Sequence, residues 1–312
     1  MLTVPRAVMV NRGGESLYSC RFVAKTMGWP MIGEDPEDLI LCDAGNAVVG
    51  FGFKQGKANL DAKQCCSGRF LGDVNIGANP ASELELVPAD FDEGIKTVAA
   101  MHEAPKTDVL GNVLKTKDGR HLSFFDIHGN LTTFREPAKA AFAGEHGSKL
   151  SSLLKKRGIG VTGRRKPDNP APLIGITLMV NNLQRSVKFY GDTLGLKVLR
   201  ATGREVRFDA GPMILTLRVE QHVGQVRFLR NKELLRDQIM FYVPDLKAEF
   251  ENLTRKGIHF PNGTEGSISA GLVAYFTDPD GHNLWLWQPP EKLTPEMRIN
   301  FFPALERILK DV

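Results

Sequence analysis

Seven histidines, four cysteines and the carboxylate pair Glu83 and Glu85 are the residues of this chain best suited to covalent, metal or acid–base chemistry. Histidine ligands to a metal favour spacings such as HxH or HxxxH, and His102, His121, His128, His222, His259 and His282 offer neither. The cysteines, two of them adjacent at Cys65 and Cys66, form no CxxC pair, so neither a zinc site nor a disulfide framework is predicted. There is no GxSxG, no Walker A, no GxGxxG after a strand and no cysteine with an identifiable partner base. The remaining candidate chemistry is noncovalent. Thr177, Met179, Gln238, Met240, Tyr242, Trp285 and Trp287 would give a stacking, polarizable surface with a few hydrogen-bonding groups, suited to a flat or ring-containing ligand.

Those residues share a face only if particular strands form. Alternation at Ile174–Val180 predicts a strand, and Leu183, Val187, Tyr190 and Leu194 recur at helical spacing until Gly195. Strands are expected at Lys197–Arg200, Glu205–Asp209 and Met213–Val219, with a turn at Ala210-Gly211-Pro212. A second unit follows: strand Gln238–Val243, a helix from Lys247 to Lys256 ended by Gly257, and strands Leu272–Thr277 and Asn283–Trp287. If Ile176, Leu178 and Val180 pack under the helix, Gly175, Thr177 and Met179 face the other way. The same logic sends Ile239, Phe241, Val243, Leu284 and Leu286 to the core, and Gln238, Met240, Tyr242, Trp285 and Trp287 to the opposite face. Glu83 and Glu85 read as the polar side of an amphipathic strand.

The same pattern occurs twice in the chain. Cys20–Trp29 resembles Val187–Leu196, and Asp43-Ala44-Gly45 resembles Asp209-Ala210-Gly211, at nearly one offset. Val87–Phe91 likewise echoes Val243–Leu246, and FFDIHGN (Phe124–Asn130) echoes YFTDPDGHN (Tyr275–Asn283), so two halves of one fold are expected. The net charge of +4 over 312 residues is concentrated in 151–170, which carries +5, against −3 in 1–150 and +2 in 171–312. That stretch, rich in Gly and Pro, reads as an interdomain linker rather than a nucleic-acid face, because neither half supplies a basic surface studded with aromatics. No window reaches the roughly 18 apolar residues of a membrane span, and the first residues lack signal-peptide regions. A cytoplasmic protein with no membrane and no nucleic-acid partner is therefore expected.

SVKFYGDTLGLKV (Ser186–Val198) followed by FTDPDGHNLWLW (Phe276–Trp287) resembles the vicinal oxygen chelate (VOC) superfamily, which includes glyoxalase I, bleomycin and fosfomycin resistance proteins and extradiol dioxygenases. The resemblance covers most of 172–290 and, more weakly, 4–137, where Phe-Tyr has become Phe22-Val23. It implies an α+β fold of two tandem VOC domains, each built from two βαβββ modules forming a curved, cup-like mixed sheet. The expected layout is an N-terminal VOC-like domain over 1–140, a helix and basic linker over 141–171, a C-terminal VOC domain over 172–290 and a helical tail over 291–312.

Superfamily members that do chemistry usually hold a divalent metal on the first and last strands of their modules. Carried onto this chain, those positions are Gly175, Thr216, Gln238 and Trp285, and, in the first half, Pro5, Ser82 or Glu83, and Thr133. Only Gln238 and Glu83 among them are ordinary metal ligands, so no metal and no cofactor are expected. His282 and His128 sit in the turn before the last strand of a module, where a surface role is expected. In the tail, Thr294-Pro295-Glu296 is a helix start, and Met297, Phe301, Phe302, Leu305, Ile308 and Leu309 form an apolar face. It could roof the pocket, brace the other domain or bury a homodimer interface.

Three functions follow. The favoured one is a metal-independent binder of a small aromatic or hydrophobic molecule in the C-terminal pocket. The alternatives are an enzyme, either a lyase, isomerase or ring-cleaving oxygenase with displaced ligands or a metal-free catalyst using Tyr242, Gln238 or Glu83, and a non-catalytic interaction protein.

Overall fold

A computed structural model describes residues 4–13, 23–24, 27–35, 39–52, 82–101, 112–125, 131–156, 171–219, 237–267, 271–290 and 301–310. The expected first helix around Cys20–Trp29, most of the basic linker and the tail start at Thr294 fall largely or wholly outside those residues.

Four modules follow one another along the chain. The first contains β1 (Arg6–Gly13), β2 (Met31–Asp35), β3 (Leu39–Asp43) and β4 (Val48–Gly52). The second contains β5 (Ser82–Leu86), α1 (Phe91–Met101), β6 (Leu114–Thr116), β7 (Gly119–Phe125) and β8 (Leu131–Pro137), and is followed by α2 (Gly144–Lys155). The third contains β9 (Leu173–Met179), α3 (Leu183–Lys188), β10 (Lys197–Ala201), β11 (Glu205–Asp209) and β12 (Ile214–Arg218). The fourth contains β13 (Gln238–Tyr242), α4 (Leu246–Arg255), β14 (Thr264–Ser267), β15 (Gly271–Thr277) and β16 (Asn283–Gln288), and is followed by α5 (Phe301–Lys310).

Local chemistry explains these boundaries. Asn182 caps α3 by accepting from Arg185 N at 3.0 Å, and Asp245 caps α4 by accepting from Ala248 N at 2.9 Å. After α3 the chain widens into an i→i+5 turn, Leu194 N to Phe189 O at 3.0 Å, and leaves through Gly195 at φ +78°. The repeated Asp-Ala-Gly turns are also built alike. Asp43 accepts from Gly45 N at 2.8 Å and Asp209 from Gly211 N at 2.9 Å, with both glycines in the left-handed region.

The modules form two eight-stranded mixed sheets, one of them strongly curled. Sheet A has the order β14-β15-β16-β13-β1-β4-β3-β2 and sheet B the order β10-β11-β12-β9-β5-β8-β7-β6. Consecutive modules therefore do not all share a sheet as the sequence-based layout had them: the first joins the fourth, and the second joins the third. Within each module the first strand pairs in parallel with the last, which leaves the other edge of the first strand open. Two such edges meet antiparallel at each seam, with Asn11 opposite Gln238 in sheet A and Glu83 opposite Thr177 in sheet B.

One continuous core unites the helix-side faces of both sheets, and it includes Val10, Leu84, Ile176, Phe208, Phe241 and Leu284. The opposite face of each sheet carries its own helix. Ile174 and Ile214 of sheet B form a buried cluster with Leu150, Leu153 and Leu154 of α2, while Met9, Val48, Met240 and Trp287 of sheet A cluster with Ala304 and Ile308 of α5. The two helices are equivalent pieces of the repeat: Lys149 on α2 pairs with Asp209 at 2.7 Å, and Arg307 on α5 pairs with Asp43 at 2.7 Å.

The signature motif works at the junction of the sheets. Asp278 Oδ2 accepts from Tyr190 OH at 3.0 Å and lies 2.7 Å from His282 Nδ1, while its Oδ1 accepts from the Asp280 and His282 amides. Asp280 accepts from Ser186 Oγ at 2.6 Å, from Arg185 at 2.7 Å and from Asn181 Nδ2 at 3.1 Å. His282 is thus buried at 2% exposure rather than on the surface, since the backbone turn folds it onto Asp278. On the other side, Arg12 and Ser82 both bond the buried Asp237, and Arg12 reaches Thr132 at 3.0 Å.

Candidate functional site

The two helix-covered cups differ in chemistry. Cup A, on sheet A, receives Met9 and Asn11 from β1, Gln238, Met240 and Tyr242 from β13, and Trp285 and Trp287 from β16. Alternation places these on the side away from the main core, where Met9, Met240, Tyr242, Trp285 and Trp287 join the α5 cluster. Tyr275 of β15, opposite Trp285 in register, meets it edge to face with centroids 4.7 Å apart. Main contacts of α5 fall on the β1, β2 and β4 side of the sheet. Tyr242, Tyr275 and Trp285 stay half-buried. At the seam, Asn11 and Gln238 are each 7% exposed, and Asn11 Oδ1 has no hydrogen-bond partner among the described residues. A buried amide oxygen left in this state costs roughly 1–3 kcal/mol.

Five of the seven residues predicted to line a pocket therefore come together in cup A. Thr177 and Met179 do not: they lie on β9 in sheet B, because the third and fourth modules belong to different sheets. Asn11 and Tyr275 were not among the predicted lining residues. Alternation would have found Tyr275 on its strand, whereas Asn11 enters only through the pairing of β1 with β13.

Cup B, on sheet B, is polar. Glu83 and Glu85 are 3% and 4% exposed, so they are not the solvent side of an amphipathic strand. Arg218 donates to Glu83 at 2.8 Å and to Glu205 at 3.2 Å; Arg135 Nε lies 2.6 Å from Glu85 Oε2, and Thr177 donates to Glu85 Oε1 at 2.7 Å. Burial alone would raise the Glu85 carboxyl, but Arg135, Arg207 and Arg218 with the Thr177 hydroxyl hold it well below the usual carboxylate range. Glu205 is lowered in the same way, with burial outweighed by Arg207 and Arg218. His146 on α2 is pushed down to about 4 by burial and by Arg207, whose Nη1 lies 2.7 Å from His146 Nε2. His121 is lowered by burial and Arg135. The sequence signal was Glu-x-Glu on one strand with arginines on strands that become its neighbours only in the folded sheet.

The positions at which a divalent metal would be held do not fit one. In cup B the two carboxylates are already neutralised by guanidinium groups. Thr133 is bonded to Ser123 at 2.7 Å, and a Cβ at Gly175 would lie 2.6 Å from the Ile214 carbonyl oxygen, leaving no room for a ligand side chain. In cup A the corresponding positions are Pro5, Gln238 and Trp285, of which only Gln238 offers a ligand atom, short of the roughly three protein ligands a divalent site needs. No cluster of three or more His, Cys, Asp or Glu able to hold a metal occurs among the described residues.

Paired βαβββ modules closing into curled mixed sheets define a class of cup-forming α+β proteins. Residues 173–286 match the family model for the Glyoxalase/Bleomycin resistance protein/Dioxygenase superfamily. The segment-level relatives include the Uncharacterized protein YraH of Bacillus subtilis (strain 168), 29% identical over 36% of this chain and 93% of the relative. They also include the Metallothiol transferase FosB of Staphylococcus haemolyticus (strain JCSC1435), 28% identical over 36% of this chain and 78% of the relative. The whole chain shares its fold with glyoxalase I from Zea mays (TM-score 0.59, 14% identity, 97% of this chain and 96% of that one). It is similar also to a putative dioxygenase from Bacillus subtilis subsp. subtilis str. 168 (TM-score 0.58, 13% identity, 100% and 97%). No helix among the described residues is long and apolar enough to cross a membrane.

Proposed function

We propose that this chain binds a small, flat aromatic or hydrophobic molecule in cup A, without a divalent metal. The observation that carries the reading is the buried Asn11 Oδ1, without a hydrogen-bond partner among the described residues, beside Gln238 on a face that also carries Met240, Tyr242, Tyr275 and Trp285. A ligand lying against these rings would gain stacking, roughly 0.5–1.5 kcal/mol per ring beyond area burial. One N–H or O–H on its edge would satisfy Asn11. Cup B supports no acid–base alternative of equal weight, since a carboxylate held in its charged form by arginines, as Glu85 is, makes a weak base.

A thermal-shift screen of flat aromatic compounds, followed by tryptophan-fluorescence titration of any hit, tests this reading. Trp285→Ala should weaken the hit at least about tenfold, the equivalent of 1.4 kcal/mol, and reduce its quenching. Trp29 is buried in the core with Nε1 donating to Ala171 O at 2.5 Å and serves as the unaffected emitter. Unchanged affinity in Trp285→Ala and Asn11→Leu would refute the site. Stoichiometric iron, manganese or zinc retained through dialysis would overturn the metal-free part.

A further inference from the structure

A separate cavity of about 320 Å³ lies between α2 and α5, walled by the start of β1, by Asn46 next to the first Asp-Ala-Gly turn and by Asp209 and Gly211 of the second. Among its lining residues are four cations from three separate parts of the chain: Arg6 before β1, Lys149 and Lys156 on or just after α2, and Lys197 at the start of β10. Among the described residues, one carboxylate, Asp209, lines it with them. Asp209 is engaged by Lys149 at 2.7 Å, and Lys197 pairs outward with Glu145 at 2.9 Å through a contact more than half exposed on both sides. A concave site with one dominant sign of charge and low-dielectric walls concentrates counter-ions. Its volume falls in the range of small-molecule sites.

We propose that this groove is a binding site for a small, multiply charged anion, a phosphate ester or a polycarboxylate. A ligand with two or more negative charges a few ångströms apart would bridge Arg6, on β1 of sheet A, and the lysines of α2 and β10, on sheet B, through charge-assisted hydrogen bonds. Ile308 of α5 also lines the groove, so the bound anion would rest against the helix that covers cup A.

The test is calorimetric titration and thermal shift of the full chain with pyrophosphate and, separately, with citrate, against sodium chloride at matched ionic strength. Saturable binding of at least one probe is expected, a preference for pyrophosphate indicating a phosphate ester and for citrate a polycarboxylate. Arg6→Gln/Lys197→Gln should weaken binding at least tenfold while leaving the Lys149–Asp209 pair in place. Arg6→Lys/Lys197→Arg, which keeps the charge, should stay within threefold of the unaltered protein. Shifts that merely follow ionic strength, absence of saturation with both probes, or equal affinity in the Gln variant would overturn the proposal. Circular dichroism and urea unfolding of each variant distinguish lost binding from lost fold.

Discussion

Arg218 is the most connected cation of cup B, and removing it gives a quantitative test of whether ion pairs hold that cup closed. Its guanidinium lies 2.8 Å from Glu83, 3.2 Å from Glu205 and 3.9 Å from Glu85, with only 28% of the side chain exposed. At an effective dielectric near 20, a unit pair at 2.8 Å is worth about 6 kcal/mol before desolvation is charged against it. Deleting one partner of a buried pair costs about 3–5 kcal/mol, chiefly because the other charge is left stranded. Partial exposure places Arg218→Met at the lower end, about 3 kcal/mol at pH 7.5 by urea unfolding. Glu85 and Glu205 have lowered folded-state values, so the stability they contribute is present above the ordinary carboxylate range and lost as pH falls through their folded values. The gap between variant and parent should accordingly narrow when the measurement is repeated at pH 4. Adding Glu83→Gln, which removes one stranded charge, should restore about half of the loss at pH 7.5. An Arg218→Met protein within about 0.5 kcal/mol of the parent, the range of an ordinary surface change, would refute this account of the cup.

Three further outcomes follow from the geometry. Asp278→Asn should cost about 3 kcal/mol in urea unfolding, because an amide cannot replace a carboxylate that accepts from Tyr190, His282 and two backbone amides; a loss under 1 kcal/mol would deny its role in joining the sheets. Ile308→Ala should cost about 3 kcal/mol and Ile308→Val about 1 kcal/mol, since Ile308 is 1% exposed in the cluster beneath α5; equal stabilities would mean that the helix is not seated there. His146 takes up a proton below pH 6.5 when unfolded but only near pH 4 when folded, so stability should fall on acidification through that window, by about 2 kcal/mol after screening is allowed for. His146→Gln should flatten this part of the stability–pH curve, and an unaltered slope would place the titrating group elsewhere.

Most elements of the third and fourth modules were legible in the sequence to within about a residue at most boundaries, as were the glycine stops, whereas β14 and the helix caps were not. Hydrophobic alternation, Gly195 and Gly257 act over a few residues, and a local code can be read locally. The internal repeat and the superfamily resemblance were legible too. Yet the most specific motif, from Ser186 to Tyr190 and from Asp278 to His282, turned out to clamp the sheets together rather than to line a pocket.

Tertiary structure decided which modules share a sheet. Every module presents the same open edge on its first strand, so alternation is equally satisfied by pairing neighbours or by pairing first with fourth and second with third. That choice moved Thr177 and Met179 away from Trp285, brought Asn11 to Gln238, and set Arg207 and Arg218 of the third module beside Glu83 and Glu85. It rests on long-range burial: α2 spans apolar residues of the second and third modules and α5 those of the first and fourth, contacts between segments far apart in the chain that no local periodicity encodes.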